Sequence, residues 1–302
     1  MARYEFQVKS AFHRRRLDEV LFDRFRLLSK AYLRSVLKSE GCEVNGLIAN
    51  GGQRVLENDF IEIEVDESRT AGMKPEEIPL DVLYEDGSVL VIDKPAGILV
   101  HPTHFERNGT ILNAMTHYLN MDRDESSEFV RPHLIHRLDK ETSGVLVAAK
   151  DQRSSRTLCS HFKRGHIEKR YTAIVGGVVE SDTGEIDLPI DRNAEKKVWQ
   201  VMEGGKLSVT RFRVIDRSAT STLLELEPVT GRTNQLRIHC AAIGHPILGD
   251  DSQGGREFRR LCLHASKTVF WHPEGGKRIT VESEADFIED FYNTEKGAGV
   301  AE

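Results

Sequence analysis

The apolar positions of this chain change period several times. Leu17, Val20, Leu21, Phe25 and Leu28 recur at three- and four-residue steps, which predicts a helix with one buried face. Ser29 is placed to cap a second helix carrying Leu33, Val36 and Leu37. The segment Glu43-Val44-Asn45-Gly46-Leu47-Ile48 holds the Asn-Gly pair of a tight hairpin. Ile61, Ile63 and Val65 then alternate with Glu62 and Glu64, as in a half-buried strand. These patterns make residues 14–66 a small unit of their own. Residues 67–79 are polar, carry Gly72, Pro75 and Pro79, and show no apolar period, so a linker is expected there.

Residues 80–292 are strand-rich. Apolar runs predict strands at 89–92, 144–147, 171–175, 209–214 and 222–226, and helical spacing is confined to 110–119, 153–163 and 234–243. Strands and helices do not alternate regularly. The expected fold class is therefore α+β, a mixed or antiparallel sheet preceded by the small α/β unit. Residues 293–302 are expected to be a flexible tail.

Composition narrows the class of protein. With 39% hydrophobic and 30% charged residues, the 302-residue chain suits a soluble globular protein and not a disordered one. No apolar run approaches the length of a bilayer span, and the first six residues lack the basic-then-apolar layout of a secretory signal. A cytoplasmic location with no membrane partner is expected. Cys42, Cys159, Cys240 and Cys262 form no Cys-x-x-Cys pair, so neither a disulfide framework nor a zinc knuckle is indicated. The net charge of −6 argues against a polyanionic partner, but its distribution argues the other way. Residues 9–38 hold nine basic and three acidic side chains, and residues 150–171 hold seven and two. Local patches, more than the sum, set the field that a polyanion meets.

The densest candidate chemistry is His136-Arg137-Leu138-Asp139-Lys140-Glu141-Thr142-Ser143-Gly144, followed by an apolar run. It places a carboxylate between two cations, ahead of a Thr-Ser-Gly turn into a strand. Arg137 and Lys140 would keep Asp139 ionised, which makes it a candidate nucleophile. On these nine residues alone a charged surface turn accounts for the pattern equally well.

Three further segments add to it: Asp93-Lys94-Pro95-Ala96-Gly97 after a strand, Glu168-Lys169-Arg170-Tyr171-Thr172-Ala173 at the start of another, and Thr230-Gly231-Arg232-Thr233-Asn234-Gln235-Leu236-Arg237-Ile238-His239 running on to Gly249-Asp250. With the Asp139 segment, Leu263-His264-Ala265 and Trp271-His272-Pro273, they resemble, in order, the RluA family of RNA pseudouridine synthases. Arg16-Leu17-Asp18, the Ser29 helix start and Val44-Asn45-Gly46 resemble the alpha-L RNA-binding domain appended to many RNA-modifying enzymes. The resemblance implies an isomerase that breaks the bond from ribose to a uracil nitrogen, turns the base and rejoins it through carbon 5. No atoms enter or leave, so no cofactor and no metal are implied.

Carried over by motif, Asp139 is the nucleophile, acting on the sugar or on the uracil ring. Tyr171 lies against the flipped base, Arg237 pairs with the catalytic Asp, and Arg137 helps to displace the base. Arg232 and Gln235, on the segment of Arg237, are expected to line the pocket. In the front domain Arg24, Arg26, Lys30, Arg34 and Lys38 are the expected phosphate contacts. The front domain favours a large structured RNA, hence large-subunit ribosomal RNA over the alternative of transfer RNA. A monomer is expected, since nothing points to an obligate assembly. The chain departs from the family pattern at Asn234, where His is usual, and at Gln253-Gly254, where Tyr-Gly is usual.

Two readings from other classes compete. His101-x-x-His104 and His133-x-x-His136-x-x-Asp139 look superficially like the ligands of a metal-dependent hydrolase, although metal-binding helices place His at i and i+4. A ribosome-assembly factor that binds RNA without catalysis is the other, and the retention of Asp139 with Tyr171 and Arg237 speaks against it.

Overall fold

The computed structural model describes residues 1–67, 74–103, 105–123 and 129–297. The chain forms two compact units, Met1–Pro79 with His101–Pro132, and Leu80–Val100 with His133–Glu302.

In the first unit, β1 (Ala2–Gln7) is followed by α1 (Leu17–Arg24), α2 (Lys30–Lys38), β2 (Cys42–Val44), β3 (Leu47–Ile48) and β4 (Phe60–Val65). The four strands form one sheet in the order β1-β4-β2-β3. The Ser29 hydroxyl caps α2 by accepting the Tyr32 N–H at 3.1 Å. Asn45 and Gly46 have φ of 53° and 74°, the left-handed pair that a two-residue hairpin between β2 and β3 requires. Ile61, Ile63 and Val65 are buried against Leu17, Leu21 and Leu33. The sheet begins at β1, upstream of the expected start at Arg14, because Tyr4 and Phe6 pack onto the same core. Helix α3 (Ile111–Tyr118) also belongs to this unit and opens with a capping box between Thr110 and Asn113. Asn113 donates to the Lys74 carbonyl at 2.9 Å, and Glu76 accepts the Gly109 N–H at 2.8 Å, so the second half of the expected linker is held to α3 and its N-terminal approach. Residues 68–73 of that linker lie outside the described residues.

The second unit opens with β5 (Asp81–Glu85), β6 (Val89–Lys94), β7 (His133–Leu134), β8 (Ser143–Ala149), α4 (Gln152–Lys163) and β9 (Glu168–Gly176). It continues with β10 (Thr183–Asp187), the hairpin β11 (Ile190–Arg192) and β12 (Trp199–Val201), β13 (Val209–Arg217), β14 (Ser221–Pro228) and α5 (Gln235–Ala242). It closes with β15 (Leu263–Trp271), β16 (Arg278–Glu282) and α6 (Ile288–Gly297). A ten-stranded sheet runs β10-β13-β14-β9-β15-β8-β6-β5, with β16 on β15 and β7 on β8. All its pairings are antiparallel except β8 with β15, so the sheet is mixed, within the α+β class. Every residue of β8 is buried, which explains its unbroken apolar run. Val89, Val91, Val145 and Val147 pack with Leu158 of α4 on one face. Helix α6 extends to Gly297, into the expected tail. Residues 298–302 of that tail lie outside the described residues. No helix among the described residues is long and apolar enough to cross a membrane.

Candidate active site

The turn before β8 falls on Lys140 and Glu141, with Thr142, Ser143 and Gly144 already leading into the strand. Gly144 is needed there for space. Its φ is +110°, and a Cβ would sit 2.4 Å from the Ala265 carbonyl oxygen on the parallel strand β15. The loop is held from beneath by Lys94, a fully buried side chain whose Nζ donates to the carbonyls of Pro95 (2.8 Å), Lys140 (3.0 Å) and Thr142 (2.7 Å). Burial lowers the Lys94 ammonium to about 8, against the upward pull of Glu141 and Asp139. Sequence reasoning assigns Lys94 no role of its own. The signal that could have found it is a lysine at the end of an apolar strand.

The loop presents Asp139 to a cavity of about 700 Å³, within the range of small-ligand sites. Arg137, Tyr171, Arg232, Gln235 and Arg237 line the same cavity, so all six pocket residues expected from the sequence converge. Asp139 is half-buried. Among the described residues no side chain hydrogen-bonds or ion-pairs its carboxylate. Burial raises its pKa, and the charges of Arg237, Arg137 and Lys94 pull it partly back. Lys94 thus takes the place expected of Lys140 among the cations that act on the carboxylate. It reaches in from β6, beneath the loop, and binds the Lys140 backbone there.

Tyr171 stands on β9, buried, and burial followed by the Asp139 charge pushes its phenol pKa up. It is therefore a protonated hydroxyl beside a carboxylate. Among the described residues Arg137 is exposed and makes no ion pair. Its neighbour His136 is a packing residue: it stacks on Phe162 at 4.8 Å, and its Nε2 accepts the Val147 N–H at 3.0 Å. Burial, then Lys169, pushes its pKa down to about 3, so it is neutral. That Nε2 lone pair is engaged and closed to a metal, and no three His, Cys, Asp or Glu side chains among the described residues form a metal-holding group. His104 of the hydrolase reading lies outside the described residues.

The partner of Arg237 differs from expectation. Its Nε and Nη2 grip the two carboxylate oxygens of Asp250, both at 2.6 Å, and Nη2 also donates to the Ser252 hydroxyl at 2.7 Å. Arg237 and Asp139 sense each other's charge without a hydrogen bond. Burial would raise the Asp250 pKa, but the bonds from Arg237 and Ser252 bring it below the ordinary carboxylate range. The cause is topological: Asp250 lies fully buried beside the first turn of α5, where the planar guanidinium meets it edge-on. Asp250 and Ser252 escape sequence reasoning because their tie to Arg237 spans a loop.

Gln235 lines the cavity as expected, but its amide is turned to the protein. Its Oε1 accepts from the Thr230 hydroxyl (2.7 Å) and the Arg232 N–H (3.0 Å), while Nε2 donates to Val209 O (2.9 Å) and Thr210 Oγ1 (3.0 Å). All four hydrogen-bonding positions of the amide are occupied by protein, so it anchors the cavity wall. Arg232 gives Nε to Leu207 O at 3.1 Å and is otherwise exposed. Asn234 takes the left-handed conformation (φ 54°, ψ 20°) at the start of α5, which Asn tolerates, and its Oδ1 accepts from Arg237 at 3.4 Å.

In the first unit the expected phosphate contacts differ in freedom. Lys38 and Arg24 are exposed, the latter 5.7 Å from the Phe6 ring centroid. Arg26 donates to Asp23 O at 2.9 Å, Lys30 lies over Phe22 at 5.0 Å, and Arg34 stands 3.9 Å from Asp18.

Comparison with known proteins gives the family. The family model described as RNA pseudouridylate synthase matches residues 88–242, which contain Asp139, Tyr171 and Arg237. An uncharacterized RNA pseudouridine synthase of Aquifex aeolicus is 34% identical over 295 residues, covering 93% of this chain and 92% of the relative. The ribosomal large subunit pseudouridine synthase D of Haemophilus ducreyi is 32% identical over 294 residues, covering 91% and 89%. Among solved structures, Human RNA Pseudouridylate Synthase Domain Containing 4 superposes with a TM-score of 0.60 at 24% identity, covering 72% of this chain and 93% of that one, which speaks to the fold. The chain belongs to the RNA pseudouridylate synthases, isomerases of uridine in RNA.

Proposed function

We propose that this enzyme isomerises specific uridines of large-subunit ribosomal RNA in the cytoplasm, as a monomer, with Asp139 as the nucleophile. The observation that carries the site assignment is an unpartnered, half-buried carboxylate facing a cavity next to a protonated tyrosine. The ribosomal substrate is supported by relatives named for the ribosomal large subunit, similar over about nine-tenths of the chain. The small basic unit in front supports it too: Arg24, Arg26, Lys30, Arg34 and Lys38 lie on or beside α1 and α2, where they would contact phosphates and position the RNA without reading its sequence.

The chemistry follows from the side chains present. The target uridine must leave its stack, at a cost of a few kcal/mol. Arg137 is exposed and, among the described residues, without an acid, so it is free to enter the space the base vacates. The uracil then lies against the Tyr171 ring, where stacking contributes about 1–3 kcal/mol. The ionised Asp139 carboxylate adds to the nucleoside, at the sugar or at the ring, and the bond from ribose to N1 breaks. After the base turns, the bond from ribose to carbon 5 forms, the bond to Asp139 breaks and returns the free carboxylate, the carbon-5 proton leaves and N1 gains one. The Tyr171 hydroxyl is close enough to Asp139 to feel its charge and is placed to relay that proton. Arg237, held by Asp250, supplies a fixed positive field.

The test maps pseudouridines in total RNA from cells with and without the gene, by chemical labelling and primer-extension stops. One or a few large-subunit ribosomal sites should vanish with the gene, return with the wild-type gene and stay absent with Asp139→Asn. Vanished sites confined to transfer RNA would sink the substrate assignment, and restoration by Asp139→Asn would sink the nucleophile.

A further inference from the structure

Among the cations that line the cavity, Arg237 has Asp250 and Arg211 has Glu185 at 2.9 Å, while Arg137, Lys163 and Arg232 are exposed, where water serves a charge. Lys169 is different. It lines the cavity, is half-buried, and its Nζ lies 5.9 Å from the Phe162 ring centroid. Among the described residues no carboxylate pairs with it, since its neighbour Glu168 is taken by Arg278. Burial lowers its ammonium pKa, and no acid offsets that effect. Buried charges are ordinarily paired. A partly buried cation that faces an open cavity without an acid is half of an ion pair whose other half comes with the ligand.

We propose that Lys169 binds the backbone phosphate of the nucleotide whose base lies against Tyr171. Lys169 and Tyr171 are two residues apart on β9, so they share a face of the strand, roughly 6.5–7 Å apart. That spacing suits one nucleotide, whose ribose separates base from phosphate. A free uracil or uridine, lacking the phosphate, would leave the ammonium uncompensated, which ties the pocket to nucleotides in a chain. This assignment rests on the proposed role of Tyr171.

The test uses the intact enzyme and total RNA from cells lacking the gene, a pool that contains the natural target whichever RNA holds it. The initial rate of pseudouridine formation at limiting RNA is measured across a potassium chloride series for wild type, Lys169→Met and Lys169→Arg. Met keeps the packing of the stem and Arg keeps the charge. Lys169→Met should lower the rate by on the order of tenfold at low salt. It should also make the plot of log rate against log salt shallower by about 0.7, as expected when one fewer single-strand phosphate is neutralised. Lys169→Arg should return the wild-type slope. An unchanged slope in Lys169→Met, however far the rate falls, overturns the proposal, as does a slope in Lys169→Arg as shallow as in Lys169→Met. Mapping the product in the same reactions scores the ribosomal assignment separately, because the slope does not depend on which RNA carries the site.

Discussion

Replacing Arg237 by Met should unfold the second unit far more easily, and the reason is Asp250 and not Asp139. The Asp250 side chain is fully buried and that of Arg237 is 15% exposed, joined through two bonds of 2.6 Å. Without the guanidinium, the carboxylate keeps only the Ser252 hydroxyl at 2.8 Å and the backbone at Gln253. Removing one partner of a buried pair costs about 3–5 kcal/mol, because the other charge stays behind. That is a large part of the roughly 5–15 kcal/mol by which domains are stable. Trp199 and Trp271, the two tryptophans of the chain, both belong to the second unit, so their fluorescence in a urea titration follows that unit. With slopes of about 2–3 kcal/mol per molar, the midpoint should fall by roughly 1–2 M. The pH dependence carries a sign. In the wild type the Asp250 pKa is depressed, so its contribution is present at neutral pH and lost as pH falls through that depressed value. In Arg237→Met, burial is opposed by the Ser252 and Gln253 bonds without the guanidinium, so the carboxylate protonates at a higher pH than in the wild type and the deficit narrows in acid. Asp250→Asn in the Arg237→Met background should recover most of the stability. A deficit below about 1 kcal/mol, or recovery by Asp139→Asn in place of Asp250→Asn, would refute the reasoning, since the scale is set by an uncompensated buried charge.

Other expected outcomes concern the loop. Asp139→Asn should form no pseudouridine yet raise the urea midpoint at neutral pH, by on the order of 1 kcal/mol of stability, because the folded state holds an ionised carboxylate without a partner; a lowered midpoint would contradict this. The raised Asp139 pKa also means that kcat/KM should fall on the acid side at a pH above the ordinary aspartate value of about 3.9, and a limb at or below that value counts against Asp139 as the ionised nucleophile. Gly144→Ala should cost more than about 4 kcal/mol or prevent soluble expression, given a Cβ 2.4 Å from Ala265 O at a φ of +110°, and near-wild-type denaturation would disprove the close approach of β8 and β15. Activity should survive exhaustive chelation, and its disappearance would revive the metal-dependent reading.

Much of the second unit could be read from sequence because its strands obey local rules. The runs at 89–92, 144–147 and 222–226 lie in strands covered on both faces, where apolar continuity is the signal. The short strands β7, β11 and β12 carry too few residues for any period to show. The membership of the pocket was legible because each motif brought its own residue. What each residue touches was not. Gln235 looked like a pocket contact because it sits between Arg232 and Arg237, yet its amide is consumed by Val209, Thr210, Thr230 and Arg232. Lys94 and Asp250 act across 46 residues or a loop, and spacing in sequence carries no trace of such contacts.

The indirect placement of Arg237 gives the site its chemical logic. A guanidinium bonded to Asp139 would depress the carboxylate pKa, occupy its lone pairs and weaken it as a nucleophile. Here the guanidinium is held by Asp250 and Ser252, and Lys94 is held by three carbonyls, so both act on Asp139 through space. Burial alone would leave Asp139 protonated over a wider range of pH, and the three cations counter that without covering the oxygens. The carboxylate therefore stays charged, exposed to the cavity and free to form a new bond. The same division sorts the remaining cations. Those bound to acids shape the wall, while on the proposed function Arg137, exposed on the loop, and Lys169, on the strand of Tyr171, keep their charge for the RNA.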